Sequence, residues 1–231
     1  MENLIFYETE RKSKRVQTFK RLLMMMAAMM MAFATFTACE KLDNNDDNNG
    51  DEKLNEDGLT QDVLKILPGD YLKKLKETGI EINGGNKPAD IEGTYLAKPN
   101  ICVKSSLPGD SWVGLEMIDA EITFSEQNNA KLTVLTNFVE YIDGGAGQTG
   151  KGTGSFITGS GNKFTVFVKM TGTLSGLPLE TIDVYSGEIS PSGIKNYQSA
   201  QITVKGNMYS TLPEGEVRLF KDSDGLAERI K

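Results

Sequence analysis

The sequence predicts an all-β domain, an antiparallel meander closed into a barrel or folded as a sandwich, behind an N-terminal leader and a short helical cap. Two observations carry this. From Ile91 onward apolar residues recur with period two: Ile122, Phe124, Leu132, Val134, Phe164, Val166, Val168, Ile202 and Val204 alternate with Thr, Lys and Glu. Between the runs stand Glu126-Gln127-Asn128-Asn129, Gly159-Ser160-Gly161-Asn162, Ser175-Gly176 and Pro191-Ser192-Gly193, turn clusters whose shortness makes neighbouring strands antiparallel. Eight or nine such strands must close or stack to protect their edges, which leaves a barrel or a sandwich.

The first element, residues 1–38, reads as a secretory signal. Arg11, Lys12, Lys14, Arg15, Lys20 and Arg21 precede the uncharged run Leu22–Ala38, which ends in small residues and Cys39. At about 1.5 Å per residue such a helix barely crosses a hydrocarbon core of about 30 Å, and no basic stop-transfer cluster follows it. Met24 to Met26 and Met29 to Met31 suit an apolar helical core better than a soft-metal site. Phe36-Thr37-Ala38-Cys39 resembles the lipobox of bacterial lipoproteins, with Phe36 where an aliphatic residue is usual. The resemblance implies cleavage before Cys39 and acylation of its thiol with palmitate-type chains. These would hold the chain on a membrane at about 0.8 kcal/mol per buried methylene.

Residues 39–57 form an acidic tether, EKLDNNDDNNGDEKLNED after the cysteine, with almost nothing to bury and so expected to be disordered. An acidic stretch behind an acylated cysteine resembles the export signal of Bacteroides-type surface lipoproteins. That implies the outer membrane with the domain facing the cell surface, the periplasmic face being the alternative. Asn45, Asp47, Asn49, Gly50 and Glu56 fall on positions 1, 3, 5, 6 and 12 of a calcium loop, but position 1 should be Asp and no helix precedes it. No metal and no cofactor is therefore expected.

Residues 58–90 form the helical cap. Thr60 caps QDVLKIL, Pro68-Gly69 breaks it, and Asp70 opens DYLKKLKET, which Gly79 ends. Val63, Leu64, Leu67, Tyr71, Leu72 and Leu75 supply an apolar face that would lie on the sheet or plug one end of it. The stretch ILPGDYLKKLKETGIEINGG with KPADIEGTYLAKPN resembles a recurrent leader of surface lipoproteins of unassigned function.

Residues 91–231 are the β domain, with strands expected at Gly93–Ala97, Ile101–Lys104, Glu116–Ser125, Lys131–Tyr141, Gly154–Thr158, Lys163–Leu174, Leu179–Ile189, Tyr197–Lys205 and Glu216–Lys221. Gly93-Thr94-Tyr95 is similar to the Gly-x-Trp signature at the start of lipocalin-like barrels, with Tyr95 in place of Trp. The resemblance favours a barrel over a sandwich and implies a pocket for a small apolar ligand.

Composition excludes several functions. After Cys39 the chain carries 19 basic and 29 acidic residues, a net charge of −10, which argues against nucleic acid or an anionic membrane as a binding surface. There is no histidine, which removes Ser-His-Asp and Cys-His catalysis and the usual general base. With Cys39 acylated, Cys102 has no disulfide partner and is expected to be a buried, inert thiol.

Gly145-Ala146-Gly147-Gln148-Thr149-Gly150-Lys151 reads as the start of a P-loop, but Gly152 stands where Ser or Thr must reach magnesium and a β pattern follows, so a loop between strands is expected. Ser160-Gly161-Asn162-Lys163 and Ser192-Gly193-Ile194-Lys195 spell the Ser-x-x-Lys of penicillin-recognising enzymes, in turns rather than on the helix that motif needs. Trp112, which lies in SSLPGDSWVG with Asp110 before it and Glu116 just beyond, is a candidate to stack on a sugar or apolar ligand, or to cap the core; Tyr95 is the second candidate. Asp119, Glu121, Asp183 and Glu188 lie on expected strands, with solvated outward faces as the default.

The resulting expectation is a monomeric, lipid-anchored outer-membrane protein, non-catalytic, binding a small apolar or glycan ligand. A structural accessory of a surface assembly is the alternative. A carboxylate hydrolase ranks behind both, and would show two acids of raised pKa converging in one cleft.

Overall fold

The computed structural model describes residues 54–142 and 145–231. The signal segment, Cys39, most of the tether and the calcium-loop positions Asn45, Asp47 and Asn49 lie outside the described residues. Glu56 lies within them.

Two short helices come first, α1 (Gln61–Ile66) and α2 (Tyr71–Thr78). Thr60 Oγ1 accepts from Val63 N at 3.3 Å and so caps α1. Gly79, at φ 88°, ends α2 by donating its N–H to the Leu75 and Lys76 carbonyls. Asp70 precedes α2, but its side chain makes no capping bond.

The rest is β: β1 (Asn86–Pro88), β2 (Gly93–Ala97), β3 (Asn100–Ser105), β4 (Glu116–Met117), β5 (Ala120–Asn128), β6 (Thr133–Ile142), β7 (Gly145–Gly161), β8 (Lys163–Leu174), β9 (Leu177–Ser190), β10 (Gly193–Lys205), β11 (Val217–Asp222) and β12 (Leu226–Arg229). They form one sheet in the order β12-β2-β5-β6-β7-β8-β9-β10-β11-β3-β4, and β12 also pairs with β10. Hydrogen bonding thus runs as a ring through eight strands.

Strand β10 makes this topology possible. Its first half, Gly193–Lys195, pairs with β12, and Gln198–Ile202 pairs with β11 after a bulge at Asn196. Asn196 sits at φ 52°, a left-handed conformation that Asn tolerates better than most residues. Beyond the bulge β11, β3 and β4 extend from β10, so the chain is not a pure meander.

Several sequence expectations change here. Glu116–Ser125 is two strands, because β4 pairs with β3 and β5 with β2; the switch falls at Ile118-Asp119. The glycine run at 145–151 belongs to β7 rather than a loop, since β6 and β8 satisfy its backbone from both sides. Its glycines serve close packing: Gly150 faces Gly172, and a Cβ on Gly172 would collide with the Thr149 carbonyl. Strand β1, within the leader, is parallel to the end of β7, and β12 is too short and polar to show an alternation.

The ring interior holds one core. Tyr95, Phe124, Phe164 and Tyr185 are 1% exposed or less and meet at centroid distances of 5.9 to 6.2 Å, mostly edge-on. A second cluster lies on the opposite face of β8, β9 and β10, where Leu59, Val63, Leu67, Leu75 and Ile80 cover Phe167, Ile182, Val184, Ala200 and Ile202. The helices therefore lie on the outer face of the sheet rather than plugging an end. Strands β8 and β9 read as continuous buried runs because both their faces are covered.

Candidate functional site

Inward-facing residues of the ring pack as one core, and a cavity of about 300 Å³ lies between ring strands β6, β7, β9 and β10 and the extension β11, β3 and β4. Phe138 and Glu140 of β6, Gln148 of β7, Asp183 and Tyr185 of β9, Ser199 and Gln201 of β10, Arg218 and Phe220 of β11, and Asn100 of β3 line it. Ile118 and Tyr209 line it too while remaining 39% and 52% exposed, which makes part of its rim apolar.

The segment after β3 is tied down by one ion pair. Asp110 accepts from Arg218 Nε at 2.7 Å and Nη2 at 3.0 Å, a two-point contact between side chains only 2% and 6% exposed. Arg218 Nη1 donates to Thr211 Oγ1 at 2.9 Å, which anchors the segment before β11 as well. The guanidinium holds the Asp110 carboxyl at a pKa of about 2. Trp112 N donates to Asp110 Oδ1 at 3.1 Å, and the indole packs 4.2 Å from the Arg218 guanidinium carbon. Trp112 thereby lines the cavity, as a partly buried wall.

Tyr95, the second candidate, is not part of the site. It is fully buried in the aromatic core; its hydroxyl donates to the Ile91 carbonyl at 2.8 Å and accepts from Arg229 Nη2 at 2.6 Å. With its polar end satisfied inside the protein, it is a core residue, and the ring does not bring it to Trp112.

Among the acids singled out from sequence, Asp183 departs from the outward default. It is 3% exposed and faces the cavity; Tyr185 Oη donates to its Oδ2 at 3.1 Å, Thr181 and Gln201 lie close enough to favour its charged form, and its Oδ1 makes no hydrogen bond within the usual geometry among the described residues. Burial pushes its pKa up to about 6. Asp119 keeps to the surface, paired with Lys98 at 2.6 Å. Glu121 and Glu188 are half-buried and line no part of the cavity.

Glu140 was not singled out, yet β6 alternation points to it: Val134, Thr136 and Phe138 are buried, and Glu140 is next on that face. Burial, then the charge of Asp183, lifts its pKa to about 7. Two carboxyl groups that titrate near neutrality thus share one cavity. Such groups can hold a cation, accept hydrogen bonds or exchange protons.

Cys102 is fully buried and burial raises its thiol pKa, as expected of an inert cysteine. Among the described residues no group of three or more Cys, Asp or Glu is placed to hold a metal ion. Gly147 and Gln148 of the P-loop-like stretch contribute to the cavity wall from a strand, with no helix to aim at a phosphate. The chain matches no protein-family profile, no curated protein and no solved structure.

Proposed function

We propose that this chain is a lipid-anchored, non-catalytic binding protein of the outer membrane, whose strand ring acts as a lipocalin-like barrel holding a small ligand. The observation that carries the reading is the cavity itself. Its volume stands at the lower end of small-molecule sites, which run from about 300 to 1,000 Å³, and its lining combines apolar side chains with convergent polar and charged groups that could fix a ligand's orientation.

The test uses the only tryptophan of the chain. Because Trp112 lines the cavity, its emission should shift when the purified full chain is titrated with a panel of small amphiphiles and oligosaccharides, and native mass spectrometry should show the same ligand retained at unchanged mass. No shift and no adduct across the panel would remove the binding reading. Acid–base catalysis by Glu140 and Asp183 is the second reading, favoured by their shared cavity and raised pKa values. It predicts that a ligand is released with altered mass.

Anchoring rests on the lipobox resemblance and has its own test. In a bacterial host, a clickable fatty acid should label the wild-type chain and leave Cys39→Ser unlabelled. Equal labelling of both would place any acylation elsewhere.

A further inference from the structure

The cavity has an uneven charge distribution. Its charged lining residues are Glu116 on β4, Glu140 on β6, Asp183 on β9 and Arg218 on β11. Arg218, the one cation among the described lining residues, is already engaged on both sides, by the two oxygens of Asp110 and by the Trp112 ring. Asp110 cancels its charge, so Glu140 and Asp183 face the cavity without a matching cation among the described lining residues; Glu116 is exposed and lies near Lys98.

The hydrogen-bonding capacity is equally one-sided. Asn100, Thr136, Asp183 and Tyr197 carry the buried side-chain oxygens without a partner among the described residues, and Asn100 and Asp183 line the cavity. Both are more than nine-tenths buried, and in both the unpartnered atom, Oδ1, is an acceptor. A buried carboxylate with one oxygen short of a donor is costly, and a charged donor is the strongest partner it can take. Phe138, Leu179 and Phe220 add hydrocarbon walls. An occupant that fits brings N–H donors and a positive charge on an apolar body.

We infer that the cavity takes a small organic ammonium, a primary or secondary amine on a short aliphatic or aromatic body, with its nitrogen against Asp183 and Glu140. This rests on the binding function proposed above and narrows it. A neutral polyol brings donors without charge, and a carboxylate ligand would be repelled by both acids.

The experiment compares benzylamine, benzyl alcohol and benzoate, similar in shape and different in charge, by calorimetry on the full-length protein. At pH about 8, where both acids are ionised, benzylamine should bind on the order of tenfold or more tightly than benzyl alcohol, with no benzoate binding. Asp183→Asn should lower benzylamine affinity and erase most of its preference over benzyl alcohol. Glu140→Gln should reduce the preference, and serves as the second variant should Asp183→Asn fail to fold by circular dichroism. Equal affinity for amine and alcohol, or a preference untouched by the variants that fold, would overturn the inference and leave the binding function standing. Binding of none of the three would overturn the inference, and with an unresponsive wider panel it would remove the binding function as well.

Discussion

Arg218→Met should lower stability by roughly 3–5 kcal/mol, the usual consequence of removing one partner from a buried ion pair. The substitution keeps much of the side-chain bulk, so the loss is chiefly electrostatic. Asp110 would be left as a carboxylate 2% exposed, without the two guanidinium hydrogen bonds that now satisfy it. Its remaining bond from Trp112 N satisfies one oxygen, so the carboxylate would have to take up a proton or admit water. The bonds to Thr211 and the contact with Trp112 go with the guanidinium, so the cavity wall loosens together with the fold. Urea denaturation at neutral pH measures the effect. A loss under about 1 kcal/mol would mean that water replaces the pair at little cost. Replacing both partners, Asp110→Leu with Arg218→Met, should recover part of the loss, because no unpaired charge then stays buried.

Asp183→Asn should have the opposite sign and a pH signature. The Asp183 carboxyl titrates near 3.8 when unfolded and at about 6 in the native protein, so between those values the folded chain binds more protons than the unfolded one. Stability from this group is therefore full below about pH 4, falls as pH rises, and is lost above about pH 6. A shift of about two pKa units corresponds to an order of 2–3 kcal/mol. Asparagine does not ionise and still accepts from Tyr185, so the variant should match wild type near pH 4 and exceed it by up to that amount at pH about 8. Denaturation curves at the two pH values decide it. A variant less stable than wild type at the higher pH would show that the carboxylate is held by interactions stronger than its desolvation cost. The same substitution is expected to erase most of the amine preference, so the site retains an acid that the fold alone would be more stable without.

Glu140 should behave alike in a higher window. Its native pKa of about 7 moves the end of the fall in stability up by about one pH unit relative to Asp183. Because each charge opposes the other, ionisation of the pair spreads over a broader range than either alone.

Much of the chain's character is local and so can be read from sequence. Period-two alternation placed Ile122, Phe124, Phe164, Val166 and Ile202 in the core, where all are 1% exposed or less, because side-chain direction along a strand depends only on residue parity. Turn residues separated β8 from β9 and β9 from β10. The Thr60 cap and the Gly79 stop follow from hydrogen-bonding capacity within one helical turn. Absence of histidine limits the chemistry of any fold this chain adopts.

What tertiary structure alone decided concerns pairing between distant segments. The ring is closed by β12, four residues whose strand character comes from two neighbours rather than from their own pattern. Tyr95 and Trp112 were both candidates for ligand contact, and parity could not say that one meets Arg229 in the core and the other Arg218 at the cavity. On β9, Ile182 and Val184 are buried under helices while Asp183 and Tyr185 are buried inside the ring, so alternation carries no signal where both faces are covered. The sequence by itself determined strands, turns, caps and the chemistry excluded. The joining of Glu140, Asp183 and Asn100 in one cavity came only with strand order, because those positions are far apart along the chain and nothing local couples them.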